Sequence, residues 1–149
     1  MKGRSFLDTN VLVYTDDRDS PEKKRRALDL FAECRRNRNG VVSTQILQEY
    51  FATATKKLGV DVIVARRKTE IFARLDVVSL SVDDILGAID LVRLHTLSFW
   101  DALVVRAALA SGCSRLFSED LQTGRRFEGL EVVNPFLQWP RPPADLGPG

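Results

Sequence analysis

Apolar residues along this chain fall into short runs separated by longer stretches with helical spacing. The short runs, at residues 5–7, 41–43, 77–80, 115–117 and 131–133, predict β-strands mostly flanked by turn or cap residues. Ser20-Pro21-Glu22 supplies an N-cap, a first-turn proline and an early acid for a helix reaching roughly Arg36, with the stripe Ala27, Leu28, Phe31 and Cys34. A second helical stretch carries Ile46, Leu47, Tyr50, Phe51, Ala54 and Leu58 on one face. Ser81-Val82-Asp83-Asp84 has capping-box spacing ahead of a helix bearing Ile85, Leu86, Ile89 and Val92. The stretch 100–110 is apolar nearly all round, with only Asp101 and Arg106 charged, which predicts a central, buried helix. Brief strands alternating with helices predict an α/β fold: a five-stranded, mostly parallel sheet covered by helices on both faces.

After Phe136 the pattern stops. Prolines 140, 142, 143 and 148 and glycines 147 and 149 crowd the end, so residues 1–136 read as one domain and 137–149 as a tail without regular structure. Trp139 is placed to pin that tail to the body or to a partner. No internal repeat and no second domain are visible.

Composition narrows the function classes. At 149 residues and 44% hydrophobic, the chain can bury the core of a single domain. Lys+Arg 22 against Asp+Glu 20 leaves a formal charge of +2, which gives no bulk electrostatic argument for nucleic-acid binding. Basic runs at Lys23-Lys24-Arg25-Arg26, Arg35-Arg36-Asn37-Arg38, Lys56-Lys57, Arg66-Arg67-Lys68 and Arg125-Arg126 read first as solvated faces, with phosphate tracking as the functional alternative. Cys34 and Cys113, each in an apolar helical pattern, read as small buried hydrophobes. No signal peptide or membrane-length run is evident, so a cytoplasmic, non-membrane protein is expected.

The candidate chemistry lies in four scattered acids. Asp8 and Asp120 each follow a predicted strand, which places both at the carboxyl edge of a parallel sheet, where sites form. Asp101 opens the buried helix, and Glu49 lies on the second helical stretch, off its apolar centre. Each also has a structural reading. Asp8-Thr9-Asn10 fits a turn and cap, Ser98 with Asp101 has capping-box spacing, and Asp120 fits a polar loop. Brought together, the four would make an oxygen-only pocket whose mutual repulsion raises at least one pKa unless a cation is bound.

Four segments occur in the order seen in one family: Phe6-Leu7-Asp8-Thr9-Asn10-Val11-Leu12-Val13-Tyr14, Ser43-Thr44-Gln45-Ile46-Leu47-Gln48-Glu49-Tyr50, Phe99-Trp100-Asp101-Ala102-Leu103 and Leu116-Phe117-Ser118-Glu119-Asp120-Leu121-Gln122. A last strand, Leu130-Glu131-Val132-Val133-Asn134-Pro135-Phe136, continues the likeness. Over about residues 5 to 136 the chain resembles the PIN-domain ribonucleases, most of all the VapC-type toxins of bacterial toxin–antitoxin pairs. The resemblance implies an α/β/α sandwich and an acidic pocket of Asp8, Glu49, Asp101 and Asp120 that holds Mg²⁺ or Mn²⁺. It also implies supporting roles for Asn10 and Ser118, hydrolysis of RNA phosphodiesters, a cognate antitoxin and a homodimer. The face carrying Tyr50, Phe51, Ala54 and Leu58 is expected either to dock that partner or second copy or to pack in the core. Glu119, adjacent to Asp120, is the alternative register for the fourth acid.

Other readings fit less well. A haloacid-dehalogenase-type phosphatase needs an Asp two residues after its first, and this chain has Asn10 there. A receiver domain needs a lysine late in its sheet, and the last lysine is Lys68. No phosphate-binding glycine loop is present. His95, the only histidine, reads as a loop or surface residue and supports neither a zinc site nor a histidine base. Two alternatives keep the same fold: an RNA- or partner-binding module without nuclease activity, and a PIN nuclease in RNA processing outside a toxin–antitoxin pair.

Overall fold

A computed structural model describes residues 3–137. The strands are β1 (Arg4–Leu7), β2 (Gly40–Ser43), β3 (Asp76–Val78), β4 (Cys113–Phe117), β5 (Arg126–Phe127) and β6 (Leu130–Val133). They form one sheet in the order β3-β2-β1-β4-β6-β5, parallel throughout except that β5 runs antiparallel to β6. All five expected strands are present, and the sheet has six strands where five were expected. The added β5 is two residues long and pairs across the tight turn Glu128-Gly129, too short to show alternation in sequence. Glu128 sits in the left-handed region at φ 53°, a conformation that tight hairpins impose on one central residue.

Burial shows why the fold is layered. Phe6, Leu7, Val41, Val42, Leu116 and Phe117 are all essentially inaccessible. Consecutive strand residues point to opposite faces, so both faces of the central strands are covered. The helices α1 (Thr9–Tyr14), α2 (Pro21–Asn37), α3 (Thr44–Lys56), α4 (Val62–Phe72), α5 (Val82–Leu94) and α6 (Phe99–Ala110) flank the sheet. The nearly all-apolar α6 buries Ala102, Leu103, Val104, Val105, Ala107 and Ala108, as its sequence predicts.

Several local expectations change, among them Leu28 on α2, which is exposed, and Ser20, which stands at the α2 cap without a side-chain bond. Cys113 begins β4 instead of lying in a helix; it is buried and free, like Cys34 on α2. The α5 residues Ile85, Leu86, Ile89 and Val92 face outward, and Ala88 and Leu91 are the ones buried. Helix α4, capped by the Asp61 side chain, was not foreseen, and its first turn exposes Val62, Ile63 and Val64. The tail expected at 137–149, with Trp139, lies outside the described residues except for Leu137. Among the described residues no helix is long and apolar enough to cross a membrane.

The topology itself marks a site. From β1 the chain moves outward to β2 and β3, then returns to place β4 on the other side of β1. Neighbouring strands whose connections leave in opposite directions open a crevice at their carboxyl ends. Asp8 follows β1 and Ser118 follows β4 at that crevice. Helix α6 leads into β4 through the turn at Ser111-Gly112, with Gly112 at φ 73°. It packs back along that strand, and its length matches the strand's, about 18 Å against about 16 Å. The N-terminus of α6, with Asp101, therefore returns to the same edge.

Candidate active site

Asp8 ends β1 and caps α1. Its Oδ1 accepts the Thr9 N–H at 2.7 Å, while its own N–H donates to the Phe117 carbonyl at 3.0 Å, fixing it against β4. Its Oδ2 accepts the Ser118 hydroxyl at 2.7 Å and, more weakly, the Asn10 amide at 3.4 Å. Capping and membership of the crevice are thus one geometry, because the switch point coincides with the start of a helix.

Asn10 and Ser118 join the two sides of the crevice. Asn10 Nδ2 donates to Asp120 Oδ2 at 3.1 Å as well as to Asp8, so one amide group lies between two carboxylates. Ser118 is fully buried, its N–H donates to the Val133 carbonyl at 3.0 Å, and its Oγ accepts the Asp120 N–H at 3.1 Å. Asp120 itself is exposed. Glu119 is directed elsewhere, to Tyr14 and Lys23, which settles which of the two adjacent acids reaches Asp8.

Asp101 lies in the first turn of α6, where its N–H donates to the Ser98 hydroxyl at 3.1 Å. The spacing therefore does cap the helix. The return bond from the Asp101 carboxylate to residue 98, present in the true capping box of Ser81 and Asp84, is not formed. That leaves the half-buried carboxylate of Asp101 for the crevice. Glu49, also half-buried, is reached through an intermediary that sequence periodicity did not reveal. The Thr9 hydroxyl donates to its Oε1 at 2.7 Å, and Gln45 Nε2 donates to its Oε2 at 3.1 Å.

The electrostatics centre on Asp8. Only 5% exposed, its carboxyl is pushed up to about 6, first by burial and further by the charges of Asp120 and Asp101. The bonds from Ser118 and Thr9 pull the other way without cancelling the rise. The Asp8 carboxylate therefore senses the charges of Asp101 and Asp120, and Thr9 bonds both Asp8 and Glu49. Among the described residues no three His, Cys, Asp or Glu side chains stand together as a ready-made ligand set.

The surroundings redistribute other expectations. Tyr50 and Ala54, expected on an outward or core face of α3, are fully buried; the Tyr50 hydroxyl donates to Asp16 Oδ2 at 2.6 Å. Leu47 and Phe51, with Arg66, Thr69, Glu70 and Ala73, line a shallow groove of about 590 Å³ between α3 and α4. His95 packs edge-on to the Phe127 ring at 5.0 Å between centroids.

These features match a known family. Residues 5–126 fit the PIN domain family model, and the chain belongs to the PIN domain family. Solved structures share the fold. A toxin–antitoxin complex from Klebsiella pneumoniae is similar at a TM-score of 0.62 and 19% identity, covering 88% of this chain and 97% of that one. VapC20 from Mycobacterium tuberculosis, a sarcin-ricin-loop-cleaving toxin, is similar at 0.59 and 17%, covering 78% and 89%. VapBC2 from Rickettsia felis, bound to a DNA fragment from its promoter, is similar at 0.58 and 20%, covering 86% and 96%. At these identities the likeness is one of fold. No curated protein matches the sequence significantly.

Proposed function

We propose that this protein is a Mg²⁺- or Mn²⁺-dependent endoribonuclease acting as the VapC-type toxin of a toxin–antitoxin pair. The observation that carries the nuclease reading is the buried Asp8 carboxylate, raised to about 6 and facing the charges of Asp101 and Asp120 at the switch-point crevice. The toxin role is supported by the fold likeness to toxin–antitoxin complexes and to a sarcin-ricin-loop-cleaving toxin.

The residues present fit a hard divalent cation in their chemistry. Every donor is an oxygen, the carboxylates repel one another, and such ions take carboxylates together with water and phosphate oxygens. Asp8, Asp101 and Asp120 would hold the ion, with Glu49 joining the pocket. Because no three of these side chains already stand together, they would have to draw in around it. When bound, it supplies a Lewis acid that eases deprotonation of water and neutralises phosphate charge. The chain's own contribution is orientation. Ser118 and Asn10 aim Asp8 Oδ2, Asn10 also holds Asp120, and Thr9 aims Glu49 toward the same edge.

A cognate antitoxin and a homodimer complete the proposal. Its support is the three toxin or toxin–antitoxin neighbours and the row Val82, Ile85, Leu86, Ile89 and Val92, which presents apolar side chains to solvent at helical spacing along α5. Light scattering on the purified chain tests the dimer, and co-purification with the product of a small neighbouring gene tests the antitoxin.

The decisive experiment is cleavage of structured and single-stranded RNA with Mn²⁺ and with EDTA. Asp101→Asn is expected to lower the rate by a factor on the order of 100, as loss of one preorganised charge does. Full activity in that variant overturns the assignment. No cleavage by the wild-type protein favours a binding module on the same fold.

A further inference from the structure

Glu119 and Asp120 are adjacent acids, and only one of them is presented to Asp8. Glu119 is held from the other side of the loop. Tyr14, the last residue of α1, donates its hydroxyl to Glu119 Oε1 at 2.6 Å. Lys23, in the first turn of α2, forms an ion pair with Glu119 Oε2 and reaches the Tyr14 hydroxyl at 3.2 Å. The Lys23 ammonium also lies 4.9 Å from the Tyr14 ring centroid and 5.8 Å from that of Phe136, and the two rings meet edge-on. The Glu119 side chain is left 26% exposed. Meanwhile its backbone N–H donates to Asn10 Oδ1 at 3.1 Å, and the same Asn10 amide serves Asp8 and Asp120 through Nδ2. Residue 119 is thus gripped at its side chain by α1 and α2 and at its amide by the crevice.

We infer that Tyr14, Lys23 and Glu119 form a positioning clamp that sets the register of Ser118-Glu119-Asp120, so that Asp120 and not Glu119 faces Asp8. A one-residue slip would break the ion pair, the Tyr14–Glu119 bond and the Glu119–Asn10 bond together, while the Lys23–Tyr14 contact would remain. The clamp also neutralises the acid next to Asp120, so the loop presents one carboxylate to the crevice instead of two. It gives one member of the Lys23-Lys24-Arg25-Arg26 run a structural partner, separate from any phosphate contact. Its consequence for catalysis rests on the nuclease reading; its effect on the loop does not.

The test compares Lys23→Met, Glu119→Gln and Tyr14→Phe in the full chain, none of them in the proposed metal or substrate set. Amide hydrogen exchange at residues 119 and 120 is read in metal-free protein, Mn²⁺ affinity by calorimetry, and kcat and KM by RNA cleavage. Exchange at both amides is expected to quicken at least about tenfold in Lys23→Met and Glu119→Gln. Mn²⁺ affinity should fall by about the same factor, kcat should drop while KM holds, and Lys23→Arg should restore all three. Combining Lys23→Met with Glu119→Gln should be no worse than either alone, because one interaction is lost once. Unchanged exchange and Mn²⁺ affinity, with only a lower melting temperature, overturns the clamp. If the wild-type protein cleaves no RNA, the nuclease reading falls and the exchange data still decide the clamp. If Lys23→Met does not fold, Tyr14→Phe, which removes a single hydroxyl, decides on the same readouts.

Discussion

Asp8 performs two tasks that pull its charge in opposite directions. As N-cap it is an acceptor for Thr9, and as a buried carboxylate beside Asp120 and Asp101 it resists ionisation. Because its folded value, about 6, lies above the ordinary 3.8, the folded state holds the proton more tightly than the unfolded chain. That contribution to stability is full below 3.8 and is lost as pH rises through about 6; the gap is worth about 3 kcal/mol. Asp8→Asn keeps a good cap and removes the charge. In EDTA at pH 7.5 it should raise unfolding stability in urea by up to about 3 kcal/mol, with the advantage gone at pH 4. An unchanged or lower stability at pH 7.5 would show that the carboxylate is not strained. Thr9 offers a second residue-level test, since its hydroxyl links Glu49 to the crevice. Thr9→Val should weaken Mn²⁺ binding by about tenfold, the cost of a lost orienting bond, as read by calorimetry.

Among the elements, α3 and α5 show how the same apolar periodicity leads to different outcomes. On α3, Ile46, Tyr50 and Ala54 turn fully inward, and Glu49 sits beside that buried row, close enough to the crevice edge for Thr9 to reach it. On α5, most of the bulky apolar residues face solvent, and Ala88 and Leu91 are buried. Close approach to α6 explains the choice. Arg106 on α6 pairs with Asp84 at 3.0 Å and its guanidinium lies where a Cβ at Gly87 would stand, so α5 meets α6 closely along Asp84, Gly87, Ala88 and Leu91. Helix α4 is held by Phe72, 2% exposed, whose ring meets Tyr50 at 4.8 Å and Phe31 at 5.2 Å. Phe72→Ala should cost about 3–5 kcal/mol in urea unfolding by opening a cavity among α2, α3 and α4. A loss under 1 kcal/mol would mean these helices repack freely.

For the whole molecule, the switch between β1 and β4 gathers residues from opposite ends of the chain. Asp8 and Ser118 are 110 positions apart yet share a hydrogen bond of 2.7 Å. A cation bound there would favour only the folded state, since the unfolded chain scatters its ligands. Mn²⁺ at about 100 times its dissociation constant should add about 2.7 kcal/mol and raise the melting temperature by about 5–10 °C. EDTA should reverse the shift, and Asp8→Asn should abolish it. A wild-type melting temperature indifferent to Mn²⁺ would argue against a metal site in the folded protein.

By itself the sequence determined the α/β class, five of six strands, the caps at Ser81 and Asp8, the buried character of α6, and the acids worth weighing. Those features are local: a strand run, a cap or an all-apolar helix is set by residues within a few positions of one another. Tertiary structure alone decided the rest. It selected Asp120 over Glu119 through Tyr14 and Lys23, distant in sequence. It returned Asp101 to the crevice through the path of α6 into β4, and tied Glu49 to the site through Thr9. It also turned the apolar row of α5 outward. Periodicity finds the faces of a helix but not their direction, because that depends on which neighbour can approach closely enough to bury one.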